Sequence, residues 1–189
     1  NIPNEVEAKV QFVYNGQNDN QEDAVQVTSQ GYIVLDGRTT ALTYSTAYSN
    51  GILPLGGATC DQPGYIPVPI SKITVLGTFI VNTYEFCLGT PTFASVIMGE
   101  DAEIIVEDGA TLTINGSIES CQGMWRQILV NSGGRLFMNN HSLIRGLIKD
   151  AARAISLQGG AEVYLQRIDF EDNHVGVFIT NLETGGTAY

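Results

Sequence analysis

The stretch that decides the fold is "ILVNSGGRLFMNN", residues 128–140. It has two close copies downstream. "ISLQGGAEVYLQR" begins at Ile155 and "VFITNLETGGTAY" begins at Val177. The glycine pairs Gly133-Gly134, Gly159-Gly160 and Gly185-Gly186 are separated by 26 residues each time. Upstream, "IIVEDGATLTING" from Ile104 has the same form around the single Gly109. One unit therefore recurs about four times: a short apolar strand, a glycine-centred turn, and a second alternating strand. Repeats of roughly 20 to 50 residues point to a solenoid, because one such unit cannot bury its apolar face alone.

Within each unit the period is two. Leu112 and Ile114 alternate with threonines, Leu136 and Met138 flank Phe137, and Val163 and Leu165 flank Tyr164. That is strand alternation with one face inward. Two such strands, a short turn and a third strand fill about one rung of a right-handed parallel β-helix, with rungs stacked about 4.8 Å apart. The glycines suit its corners, where the backbone turns and neighbours pack closely. The fold class expected is all-β, a right-handed parallel β-helix. One segment carries a different period: in "SLIRGLIKDAARAI", residues 142–155, the apolar residues fall at helical spacing. A short helix and a continued solenoid coil both remain open there.

The first part of the chain differs. "EVEAKVQFVYNG" and "QGYIVLDG" read as strands, and "GILPLGGATCDQPGYIPVPIS" holds four of the six prolines. Residues 1–70 are expected to form an irregular β-rich cap, and residues 71–189 the rungs. Caps shield a terminal rung from pairing with other chains. The last unit, from Val177, has its first strand and glycine pair but not its second strand. The expectation is a rung that continues in a longer chain, or one that self-associates or pairs with another secreted protein. The chain starts at Asn1 rather than Met, which reads as a signal peptide removed or as a piece of something longer.

The composition narrows the partners. The 189 residues include 20 acids against 9 bases, for a net charge of −11. Such a field repels phosphate backbones and anionic membranes, so nucleic acid is not expected as a partner. No apolar run reaches the length of a membrane span, so no membrane insertion is expected. Lysine is rare, at Lys9, Lys72 and Lys149 only. The cysteines, Cys60, Cys87 and Cys121, have no metal-binding spacing. In an exported chain they imply one disulfide and one free thiol. Cys87 and Cys121 lie 34 residues apart, a little over one rung, so stacking is expected to pair them and leave Cys60 free.

Several phrases resemble secreted β-helix proteins of Bacteroidota, many exported by the type IX system. Met98, Gly99, Ala102, Ile104, Val106, Gly109, Leu112, Ile114, Cys121, Met124, Trp125 and Ile128 match their first repeating phrase. Ile148, Asp150, Ala151, Ala154, Ile155, Phe170, Asn173, Gly176 and Val177 match the later ones. The resemblance covers about residues 73–180 and departs at Gln127, where that family usually has glycine. It implies a pectin-lyase-like β-helix and export to the medium or cell surface. It carries no known active site.

Candidate chemistry centres on few residues. Trp125, the only tryptophan, reads either as a platform for a sugar ring with Arg126 beside it, or as a ring covering the core against Met124 and the disulfide. The acids Asp169, Glu171 and Asp172 read as a turn or as catalytic carboxylates, but no matching acids occur one rung earlier at "MNNHSL". A catalytic groove needs acids stacked across rungs. Asp19, Gln21 and Asp23 alternate like calcium ligands, but Ala24 stands where the loop's glycine belongs. Calcium is the one cofactor considered; no other is expected. His141 and His174 have no partner motif. The expected function is an extracellular structural or adhesive module without catalysis. The alternatives are a carbohydrate-binding or polysaccharide-degrading module (a lyase or glycoside hydrolase) and a subunit of a secreted assembly.

Overall fold

The structure is a computed structural model and describes residues 32–50, 52–53, 72–88, 94–138 and 145–180. A first long strand, β1 (Tyr32–Thr43), leads into a short helix, α1 (Tyr44–Ser49), and then β2 (Lys72–Val81) and β3 (Phe86–Leu88). Three strands per turn follow. The first set is β4 (Ala94–Met98), β5 (Glu103–Val106) and β6 (Thr111–Ile114); the next is β7 (Gly116–Ser120), β8 (Gln127–Val130) and β9 (Arg135–Met138). Then come β10 (Gly146–Lys149), β11 (Ile155–Gln158), β12 (Glu162–Leu165), β13 (Ile168–Glu171) and β14 (Val177–Thr180). All the pairings among these strands are parallel, as in the columns β4–β7–β10–β13, β5–β8–β11–β14 and β6–β9–β12. The chain is an all-β solenoid of about four turns with little helix.

The alternation read from the sequence builds this core. Ile104, Ile128 and Ile155 stand in one in-register column, and Leu112, Leu136 and Val163 in another. All six side chains are buried. Each contributes roughly 1.5–3 kcal/mol by leaving water. A third column runs Val96, Ile118, Ile148.

The corners explain how one strand becomes two. β2 serves both long faces: Lys72–Val75 pair with β4, and Thr78–Val81 pair with β5. It bends between them at Gly77, whose φ is +68°. In later turns the same bend opens into a corner, and a left-handed residue stands there each time: Asp101, Gly123, Asp150 and Asp172. Aspartate is among the few non-glycine residues that tolerate this conformation.

The second corner corrects the glycine register. The amide of Gly109 donates to Gly133 O (3.2 Å), and that of Gly133 donates to Gly160 O (3.1 Å). Gly133 therefore stacks on Gly160, not on Gly159, and Gly134 stacks on Ala161. The strands fix this, since Arg135 pairs with Glu162 and Ile128 with Ile155.

The helical spacing of residues 142–155 resolves as a solenoid coil over its described part. β10 occupies Gly146–Lys149, and residues 150–154 make the corner to β11. Ile148, Ala151, Ala154 and Ile155 are all buried, because a chain wrapping a corner keeps turning side chains inward at intervals of three or four. Residues 142–144 lie outside the described residues.

The parallel ladder starts inside the region expected as an irregular cap. Tyr32–Gly37 pair with Lys72–Gly77, and the pairing resumes at Leu42 and Thr43 opposite Phe79 and Ile80. α1 then closes that end of the core. Thr43 caps it, its hydroxyl accepting from Thr46 N at 3.1 Å. Buried Tyr44 meets Phe86 with ring centroids 5.0 Å apart. Residues 1–31, 51 and 54–70 of the expected cap lie outside the described residues; of the last unit, β14 is described and residues 181–189 are not.

Candidate functional site

Trp125 sits at the corner between β7 and β8, and its side chain is fully buried. Its indole Nε1 donates to Lys149 O at 2.7 Å. Its own amide donates to Asp150 O (3.1 Å), and its carbonyl accepts from Ala152 N (2.7 Å). The ring thus joins its own turn to the next one. A ring with no exposed face offers no platform to a sugar, so of the two readings the ring belongs to the core and the platform with Arg126 is not formed. The neighbours expected for that ring also change, because Met124 is exposed and Cys121 is a free thiol.

The expected Cys87–Cys121 bond is not present. Cys121 is a free, exposed thiol, whereas Cys87 is buried and disulfide-bonded. The reason is which face each occupies. Cys87 lies in β3, in the sheet formed by β3, β6, β9 and β12, whereas Cys121 follows β7 in the other sheet. Cys60 lies outside the described residues.

Asp169 and Asp172 are committed to pairs between neighbouring turns. Arg145 donates through Nε to Asp169 Oδ2 at 2.7 Å. That hydrogen bond holds the Asp169 carboxyl below its ordinary range and raises the Arg145 guanidinium. Lys149 reaches Asp172 at 3.4 Å; this contact, with Asp150 and Glu171 nearby, raises the Lys149 ammonium. Glu171 is exposed, and so is His174. Among the described residues no group of three or more His, Cys, Asp or Glu is placed to hold a metal ion. Asp19, Gln21, Asp23 and His141 lie outside the described residues.

What the corner does present is a cleft. Arg126, Gln127, Ala152 and Arg153 line an open groove of about 440 Å³. Backbone pairing sets the two arginines one turn apart: Arg126 N donates to Ala102 O (2.8 Å), and Arg153 N donates to Arg126 O (2.9 Å). Two of the lining side chains are held by Glu103, whose own side chain is only 10% exposed. It accepts from Thr78 Oγ1 (3.2 Å), Arg126 Nη1 (3.3 Å) and Gln127 Nε2 (3.2 Å). Three donors compensate the cost of burying that carboxylate. The Arg153 guanidinium lies 4.6 Å from the centre of the Phe178 ring, a cation–π contact.

Sequence reasoning found Arg126 and missed Arg153 and Glu103. The repeat held the signal for Arg153. Arg126 and Arg153 each stand two residues before the paired Ile128 and Ile155, so the strand register alone stacks them. Nothing in the sequence marked Glu103 as buried. Comparison with protein-family models, with characterised proteins and with solved structures returned no match to this chain.

Proposed function

We propose that this chain is a non-catalytic structural or adhesive β-helix module, a rigid spacer or display segment of a larger secreted or cell-surface protein. The observation that carries this reading is the use of its charged groups. Arg145–Asp169, Lys149–Asp172 and Arg126–Glu103 each tie one turn to the next, and Trp125 does the same through Lys149 O. These side chains hold the stack together. Asp169 and Asp172, two of the acids considered for catalysis, are taken up in these pairs, whereas a catalytic cleft needs carboxylates free to meet a substrate. The phrases shared with secreted Bacteroidota β-helix proteins support export, by a type IX route in the finer form of the proposal.

Spin labels at Ser49 and Glu171, placed as S49C and E171C with Cys121→Ser, test rigidity. Both positions are exposed, one at the helix end and one in the last turn. A spacer gives one narrow distance distribution. A broad distribution, or turnover of any polysaccharide in a panel incubated with the protein, would contradict the proposal.

A further inference from the structure

The long face built from the second half of β2 with β5, β8, β11 and β14 carries an apolar column on its outer side. Ile80, Ile105, Leu129, Ser156 and Phe178 stand in register there, one per turn. Their neighbours along each strand point into the core, so these five point out. Ile80, Ile105, Leu129 and Phe178 are half-buried, and Ser156 is buried between Leu129 and Phe178. What the column shows to solvent is therefore apolar. On the other long face an outer column runs Lys72, Ser95, Ser117, Leu147 and Asp169, with one apolar member. The fold by itself does not call for an apolar exterior, and an apolar patch rimmed by polar residues marks a contact surface. We propose that this stripe docks a second copy of the chain, face to face, about a two-fold axis that runs along the stripe. The spacer reading does not depend on it.

The edges of the face choose the partner. Arg126 and Arg153, both exposed, stand where β8 and β11 begin; Glu107 and the exposed Asp108 stand where β5 ends. Glu103 offsets Arg126 through their 3.3 Å contact. Arg153 lies 4.6 Å from the centre of the Phe178 ring and has no carboxylate partner among the described residues. Glu107 and Asp108 take part in none of the ion pairs among the described residues. A two-fold axis along the stripe sets the strands of the two copies antiparallel. Each basic edge then lies over the other copy's acidic edge, and stripe lies on stripe. A surface that carries its own complement is what an isologous contact requires. Copies of net charge −11 repel one another at a distance, so the local pairing is what allows them to meet.

The backbone excludes a docked strand. β5, β8 and β11 are each paired on both sides, so the face offers side chains and no open ladder. Five strands about 4.8 Å apart and about four residues long present roughly 300–400 Å². A standard interface uses about 800 Å² per partner, so this contact is weak and transient, with a Kd of about 10–500 μM.

Sedimentation velocity of the Cys121→Ser chain, from about 5 μM to about 1 mM, tests the proposal; the serine removes any disulfide-linked dimer. The expected result is a monomer–dimer equilibrium. Leu129→Gln, which puts an amide at the centre of the stripe, should weaken it about tenfold or more. Arg153→Glu should weaken it. Glu107→Arg should weaken it too, although that change lowers the net charge, and the two reversals together should restore it. Glu171→Arg, the same charge change on the other long face, should not weaken it. Unfolding curves report the fold of each variant, and the charge reversals carry the test if Leu129→Gln does not fold. Three results would overturn the proposal: a monomer throughout, a dimer untouched by Leu129→Gln in folded protein, which places the contact elsewhere, or equal effects of Glu107→Arg and Glu171→Arg.

Discussion

The indole nitrogen of Trp125 donates to the carbonyl of Lys149 at 2.7 Å, joining two successive turns of the solenoid from inside the core. Replacing Trp125 with phenylalanine keeps an aromatic ring but leaves that carbonyl without its donor and opens a void. The expected cost is about 2–4 kcal/mol of unfolding free energy. Chemical denaturation of the variant measures it. In the parent, the single tryptophan should emit at short wavelength and resist iodide quenching until the protein unfolds.

Two glycines should fail for different reasons. A Cβ on Gly116 would sit 1.9 Å from the Ala94 carbonyl oxygen, which is backbone and cannot step aside. On Gly109 it would meet nothing within 4 Å, but φ there is +70°. Gly109→Ala should cost about 1–2 kcal/mol, the penalty of the left-handed conformation. Gly109→Asn should cost less, because asparagine tolerates that conformation. Gly116→Ala should exceed both or prevent folding. Denaturation midpoints of the three variants rank them.

Cys121 should react as an ordinary exposed thiol. Maleimide added to the native, unreduced protein should label the Cys121 peptide and leave the Cys87 peptide unlabelled until a reductant is added. Cys121→Ser should leave the Cys87 bond and the stability unchanged. Peptide mapping reads both outcomes.

Asp169 should titrate below the ordinary aspartate value of 3.8, because Arg145 donates to it in the folded protein. Its folded value is depressed. The stabilisation from the pair is therefore fully present above the unfolded value and disappears as pH falls through the folded one. The group is solvent-exposed, so the stability change is small and the titration itself is the better readout. Carboxyl NMR should show the depressed value in the parent, and Arg145→Gln should return it to the ordinary range.

The solenoid was legible because alternation and repetition report the same thing: columns such as Ile104–Ile128–Ile155 must stack to be buried. The corners were legible only in kind. Glycine pairs suggested a spacing of 26 residues, yet strand pairing sets Gly133 on Gly160, one residue further. The apolar pattern around Ala151 mimicked a helix because a corner also turns residues inward every three or four positions. Chain separation suggested Cys87 with Cys121, but separation along the chain does not say which sheet each residue joins. Trp125 read either as a ligand platform or as a ring covering the core, because sequence carries residue type and not exposure; its burial places it in the core. The groove was half visible. Arg126 drew attention through its neighbour, while Arg153 waited on the register and Glu103 on burial.

Turn-on-turn stacking in the stated register is the central claim, and an engineered crosslink tests it most directly. Ile105 and Leu129 are paired on adjacent strands and half-buried, whereas Val130, one residue on, is fully buried in the core. Paired positions on adjacent strands lie about 4.8 Å apart, within disulfide range. In a Cys121→Ser background, Ile105→Cys with Leu129→Cys should close an intramolecular disulfide under mild oxidation, seen by mass spectrometry as the loss of two hydrogens from a monomer. Ile105→Cys with Val130→Cys should not close. Failure of the in-register pair in folded protein, or equal closure of the offset pair, would contradict the stacked register.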